Sequence, residues 1–191
     1  MAGSEAKEKI ISAAFQLFHE NGYNGTSIQD IVNAAELPKG TFYNHFKSKE
    51  LLAIEVLSRY SDAIGATLTA DSLTSPLGRL RHHFECLASA YRSAKYGKGC
   101  MFGNFTAEMA ATSVIREALQ VHMKVWLASI QALLDQAVVQ NELTSETDTK
   151  MVAMYLLDLF QGATLRSKLE LSGTAINQFL DIAFSKILVK R

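Results

Sequence analysis

The stretch LPKGTFYNHFKSKE, residues 37–50, sets two phenylalanines one helical turn apart among lysine, threonine, tyrosine, asparagine and histidine. With Phe42 at zero on a helical wheel and about 100° per residue, Phe46 falls at about 40°, on the same face. Gly40 falls at about 160° and Asn44 at about 200°, opposite the two rings, with Thr41 and Tyr43 flanking them. Asn44 and Thr41 can hydrogen-bond base edges or phosphates, and Tyr43 offers a hydroxyl on a rigid arm. Lys39, His45, Lys47 and Lys49 place cationic or donor groups around the rim of that face. A glycine inside a helix costs roughly 1 kcal/mol against alanine, so Gly40 asks for a reason. Close approach to a second surface is such a reason, and the whole pattern suits a helix pressed into a duplex groove.

Such a helix must be held by others, and the periodicity supplies them. A first helix is expected over about 4–21, with Ile10, Ile11, Ala14, Phe15 and Phe18 on one stripe. Gly22 suits the left-handed position that ends it. Thr26 and Ser27 restart a helix, Thr26 and Gln29 having capping-box spacing, and Ile28, Ile31 and Val32 face inward. Pro38 fits the first position of the two-turn helix that carries Phe42. Ser48 caps a longer fourth helix, a connector over 48–71. After DSLTS, Ser75-Pro76 opens a fifth helix with Leu80, Phe84, Leu87 and Tyr91 as its stripe. A break at 96–104, a short helix to about 111 and a long one over 113–141 follow, and helices over 148–171 and 174–190 close the chain.

Composition narrows the class. A chain of 191 residues with 48% hydrophobic content can bury a substantial core. Nineteen basic residues balance nineteen acidic ones, so polyanion binding has to come from a local patch. Residues 1–60 hold six Lys and Arg against seven Asp and Glu, so the cations gather at 39–49 and the expected salt dependence is modest. Two prolines and no strict alternation argue for an all-α fold. With two cysteines, no signal-peptide pattern and no apolar run near the ~20 residues that span a bilayer, a cytoplasmic protein with reduced thiols and no membrane partner is expected.

Residues 10–57 closely resemble the N-terminal DNA-binding domain of TetR-type transcriptional regulators. The resemblance rests on Phe15 and Phe18, Gly22-Tyr23, Thr26-Ser27, Ile31, Gly40-Thr41-Phe42-Tyr43, His45-Phe46 and Lys49-Glu50-Leu51. It implies an all-helical homodimer with a helix-turn-helix DNA-binding domain at 1–47 and an effector-binding and dimerisation domain at 48–191. Thr26, Ser27, Lys39, Thr41, Tyr43, Asn44, His45 and Lys49 match the family's DNA-contacting positions. Two-fold symmetry then implies a pseudo-palindromic operator on double-stranded DNA.

The second unusual stretch is YGKGCMFGNFTAEMA. Its glycines lack the preceding strand and spacing of a nucleotide loop. Cys100 stands at or just before a helix start with Lys95 and Lys98 near in sequence, a setting that favours thiolate. Cys86, beside Phe84 and Leu87, reads as ordinary packing. GCMFGNFTAEMA, with LFQGATLRSKLEL later, resembles the branch of the family that includes the NemR and AcuR repressors, which respond to electrophiles, oxidants or small unsaturated acids. That resemblance maps the sensing cysteine to Cys100 and a partner lysine to Lys168. Tyr91, Phe102, Phe105, Met109, His122, Met123 and Trp126 are the expected walls of an effector pocket. A fully packed core would explain the same side chains.

Gly162, Ala163 and Thr164 interrupt a bulky helix and permit close approach. With the stripe Ile176, Phe179, Leu180, Ala183, Phe184 and Leu188, they form an expected four-helix dimer interface. No cofactor or metal is expected, since His122 lacks a second ligand at metal spacing. Two rivals to a repressor stand. One is an activator, or a noncovalent-ligand sensor, of the same architecture. The other is a helical enzyme at Cys100, for which no His or carboxylate stands at motif spacing to act as base.

Overall fold

The computed structural model describes residues 2–69 and 75–189. The described residues run as α1 (Ala2–Asn21), α2 (Ile28–Ala34), α3 (Lys39–His45), α4 (Lys49–Thr69) and α5 (Pro76–Ser93). Then come α6 (Met101–Met109), α7 (Ser113–Val139), α8 (Thr149–Glu170) and α9 (Thr174–Ile182), closed by a π-helical turn, Ala183–Ile187. No strand occurs among them. The expected break at 71–74 and the last helix's end at 190 lie outside the described residues.

Local chemistry explains most boundaries. The cap of α2 is Ser27 and not Thr26. Its hydroxyl accepts from Asp30 N–H at 3.1 Å, and the Asp30 carboxylate accepts from Ser27 N–H at 2.8 Å. That reciprocal box supplies two of the helix's orphaned groups, and caps of this kind are worth about 1 kcal/mol. Pro38 takes the cap position of α3, one place earlier than expected. Ser75 accepts from Gly78 N–H and Pro76 opens α5, while Asp148 caps α8 and Leu171 ends it in a left-handed turn. The break before α6 is shorter than expected, ending at Cys100, so Gly103 lies inside the helix.

Two compact units emerge. One holds the described residues up to Tyr60 together with Met101–His122; the other holds Ser61–Cys100 and the described residues from Met123 onward. The expected division between 47 and 48 therefore differs from the packing: α6 groups with the head. The reason is apolar burial. Phe105 of α6 meets Phe18 edge-on at 5.6 Å and Tyr23 at 5.8 Å, and its side chain is fully buried. Phe102 meets Tyr60 edge-on at 5.0 Å. The second unit is built on aromatic rings from three helices. Phe84, Phe160 and Phe179 stand 5.0–5.2 Å apart, with Tyr91 and Trp126 against Phe160.

Candidate nucleic-acid interface

The recognition candidate, α3, is anchored from below and bare above. Phe42 is fully buried and Phe46 nearly so, their rings 5.9 Å apart. Lys39, Gly40, Tyr43, Asn44 and Lys47 are exposed, Thr41 and His45 half-buried. Tyr43 exposes 55% of its surface while its ring leans edge-on against Phe42 at 5.2 Å, so the hydroxyl is held outward on a braced arm. A Cβ added to Gly40 would meet nothing within 4 Å. The chain's own packing therefore does not require that glycine.

Two expected DNA contacts are corrected. Thr26 is 1% exposed, and its hydroxyl donates to Gly22 O at 2.8 Å and Leu17 O at 3.2 Å, inside the α1–α2 turn. Lys49 turns inward: its ammonium donates to Tyr23 O and Thr26 O at 2.9 Å each and lies 3.9 Å from the Tyr23 ring centroid. Burial holds the Lys49 pKa below its ordinary value, partly offset by the Glu50 and Glu108 carboxylates. Tyr23 in turn donates to Glu50, and burial first, then that carboxylate, hold its phenol pKa above the usual range. Lys49 is thus a tie within the head, and the outward cations of 39–49 are Lys39 and Lys47, with His45 at the edge. Ser27 stays exposed, but its hydroxyl donates to Asp30 at 2.7 Å.

Sequence reasoning missed Glu108. Its carboxylate accepts from Asn24 N–H at 2.8 Å across 84 residues of sequence, and a Cβ on Gly22 would clash with it. Gly22 was legible as a left-handed residue, and its φ is +77°. That its bareness also makes room for a carboxylate from α6 has no local signal.

The expected effector residues fall into both units. Phe102, Phe105 and Met109 are buried in the first, where His122 stacks on Phe102 at 5.9 Å. Tyr91, Cys100, Met123, Trp126 and Lys168 belong to the second. There Cys100 is 4% exposed and its sulfur accepts from Gln161 Nε2 at 3.4 Å. Lys168 lies two turns beyond Gln161 on the same face of α8. Trp126 donates to His83 Nε2 at 3.0 Å, a buried polar pair the sequence did not reveal. Cys86 is half-buried, its sulfur 3.3 Å from His82 Nε2, rather than simply packed.

A groove of about 800 Å³ opens between α8 and α9, lined by Tyr155, Leu159, Gly162, Ala163, Phe179 and Ile182 among others. Gly162 again has nothing within 4 Å of an added Cβ. Of the expected interface stripe, Gly162, Ala163 and Phe179 line this groove. Ile176 and Ala183 are corrected: at 1% and 0% exposure they pack inside the protomer. Leu180 and Phe184 are half-buried, with Arg81 over the Phe184 ring. The exposed apolar face is offset onto Tyr155, Leu159, Leu165 and Leu169 of α8 and Ile182 of α9. No helix among the described residues is long and apolar enough to cross a membrane, and no group of three candidate metal ligands occurs among them.

Comparison with known proteins places this geometry. Residues 10–56 match the model for bacterial regulatory proteins of the tetR family. Residues 76–183 match the tetracyclin repressor-like C-terminal domain. The HTH-type transcriptional repressor DhaR of Mycobacterium sp. (strain GP1) is 31% identical over 98% of this chain and 95% of its own. The HTH-type transcriptional repressor NemR of Escherichia coli (strain K12) is 27% identical, covering 88% of this chain and 86% of its own. The crystal structure of a regulatory protein TetR from Rhodobacter sphaeroides superposes with a TM-score of 0.86 at 27% identity, over 93% of this chain and 96% of that one.

Proposed function

The chain belongs to the TetR family of bacterial transcriptional regulators, and from that premise we propose a homodimeric repressor that leaves its operator when a small molecule or electrophile reaches the body. The observation that carries the reading is the outer face of α3. It combines a braced tyrosine, an exposed asparagine and a glycine with open space above it, flanked by Lys39 and Lys47. Those groups suit base edges in a major groove with phosphates at the rim. The groove between α8 and α9, with bare Gly162 and the exposed leucines of α8, supplies a face for a second copy. A dimer doubles the reading heads and calls for two half-sites about one helical turn, or a simple multiple, apart. Such a protein works in the cytoplasm, on the chromosome.

The test is selection of bound sequences from random duplex DNA at stated salt. A pseudo-palindrome is the expected product; recovery of no preferred sequence would sink the reading. Tyr43→Ala should then weaken operator binding by about 10- to 100-fold, the ~1–3 kcal/mol of one specific contact, while the loss of its packing on Phe42 lowers the melting midpoint by only a few degrees. Equal affinity in the variant would contradict the placement of α3 in the groove.

The signal is assigned to Cys100 because its thiol stands at the start of α6, the helix that packs against the head. Adding N-ethylmaleimide should release the operator from the wild type and from Cys86→Ser, but not from Cys100→Ser. A normal response in Cys100→Ser would take the signal off Cys100 and leave the regulator reading standing.

A further inference from the structure

The turn at 22–26 is the junction of the reading head. It joins α1 to α2, and Lys49, the first residue of α4 and close behind α3, donates to two of its carbonyls. Its conformation therefore bears on how α2 and α3 are held together. Glu108 enters the junction from α6: its carboxylate accepts from Asn24 N–H, fills the space beside bare Gly22 and acts electrostatically on Lys49. Phe105, one turn earlier, packs against Phe18 and Tyr23 beside it. The Asn24 N–H stands in an exposed turn outside any helix, and an ionised acceptor bonds it more strongly than a neutral one does.

We propose that Glu108 is a positioning residue for operator binding: it latches the α1–α2 turn so that α3 is presented in its DNA-reading pose. The inference rests on the regulator reading and adds the place where α6 holds the head.

The latch predicts a sign opposite to simple charge. Removing a carboxylate from a DNA-binding head lowers repulsion and should tighten binding; losing a positioning contact should loosen it. The experiment measures affinity for the selected operator and for a random-sequence duplex of equal length, at one salt concentration, in Glu108→Ala, Glu108→Asp and Glu108→Gln. The alanine variant should bind operator about tenfold more weakly, the order expected for one charge-assisted hydrogen bond. Its random-duplex affinity should be unchanged or higher. Aspartate keeps the charge but falls one methylene short, and should behave as alanine does. Glutamine keeps an acceptor in place and should stay within about threefold of the wild type, an ordinary hydrogen bond replacing a charged one. Should alanine fail to fold, the aspartate and glutamine pair gives the same comparison. Operator affinity at or above the wild-type value in both the alanine and aspartate variants would overturn the proposal. So would glutamine falling as far as alanine, or operator and random-duplex affinities falling together. Failure of the wild type to select any sequence is a separate result, and it would strike the regulator reading instead.

Discussion

Replacing Leu159 by aspartate is expected to give a folded monomer that has lost operator binding by about 10²- to 10⁴-fold, the usual gain from linking two binding events. Leu159 exposes 48% of its surface on the α8 face, beside Tyr155 at 52% and bare Gly162, and lines the groove against α9. A carboxylate there costs the lone protomer little, because it faces water. In an interface on this face the carboxylate would be buried among apolar side chains, and an uncompensated buried charge costs several kcal/mol. Light scattering after size exclusion reads the mass, and gel shift with the selected operator reads the binding. A variant that stays dimeric would move the interface off this face. A monomer with undiminished operator affinity would remove the need for two half-sites.

How far the interface was legible depends on what a helical wheel can see. Phe42 and Phe46 inward with Gly40 and Asn44 outward followed from 100° steps, because α3 is short and its two faces differ sharply in polarity. The α9 stripe followed from the same rule, yet periodicity does not say whether an apolar stripe meets its own chain or a second one. Ile176 and Ala183 turned out to meet their own chain, and the exposed apolar groups stand on the neighbouring faces of α8 and α9. Thr26 and Ser27 are adjacent and both able to cap, so one residue of register separated a buried turn-former from the cap itself. Lys49 and Glu108 were beyond reach for another reason: their partners lie 23–26 and 84 residues away. A lysine in a basic run reads as a phosphate contact until two carbonyls and a tyrosine ring are found to hold it.

The same distance in sequence hid the most consequential polar pair of the second unit, which should make stability fall in mild acid. His83 is fully buried. Trp126 Nε1–H can only donate, so His83 Nε2 accepts and the ring's proton sits on Nδ1. That Nδ1–H donates to Thr67 Oγ1 at 2.5 Å, whose own hydroxyl donates to Ile64 O at 2.7 Å. The clasp ties the last turns of α4 to α5 and α7, and it works only with a neutral ring, because a second proton would face the indole N–H. Burial, and after it the neighbouring charge of His82, push the His83 pKa down to about 3 from 6.5. In the unfolded chain this ring takes up a proton below pH 6.5; in the folded protein it stays neutral until about pH 3. The unfolded state therefore binds more protons throughout that window, so stability is full above pH 6.5 and falls as pH drops through it. The slope is about 1.4 kcal/mol per pH unit for one proton. Denaturant unfolding of wild type and His83→Gln at pH 7, 6 and 5 isolates the contribution. Glutamine does not titrate, so the wild type's stability relative to the variant should shrink by roughly 2 kcal/mol between pH 7 and 5, most of it below pH 6.5. Parallel curves for the two proteins would mean that His83 takes its proton as readily folded as unfolded, and the Trp126–His83–Thr67 clasp would have to be abandoned.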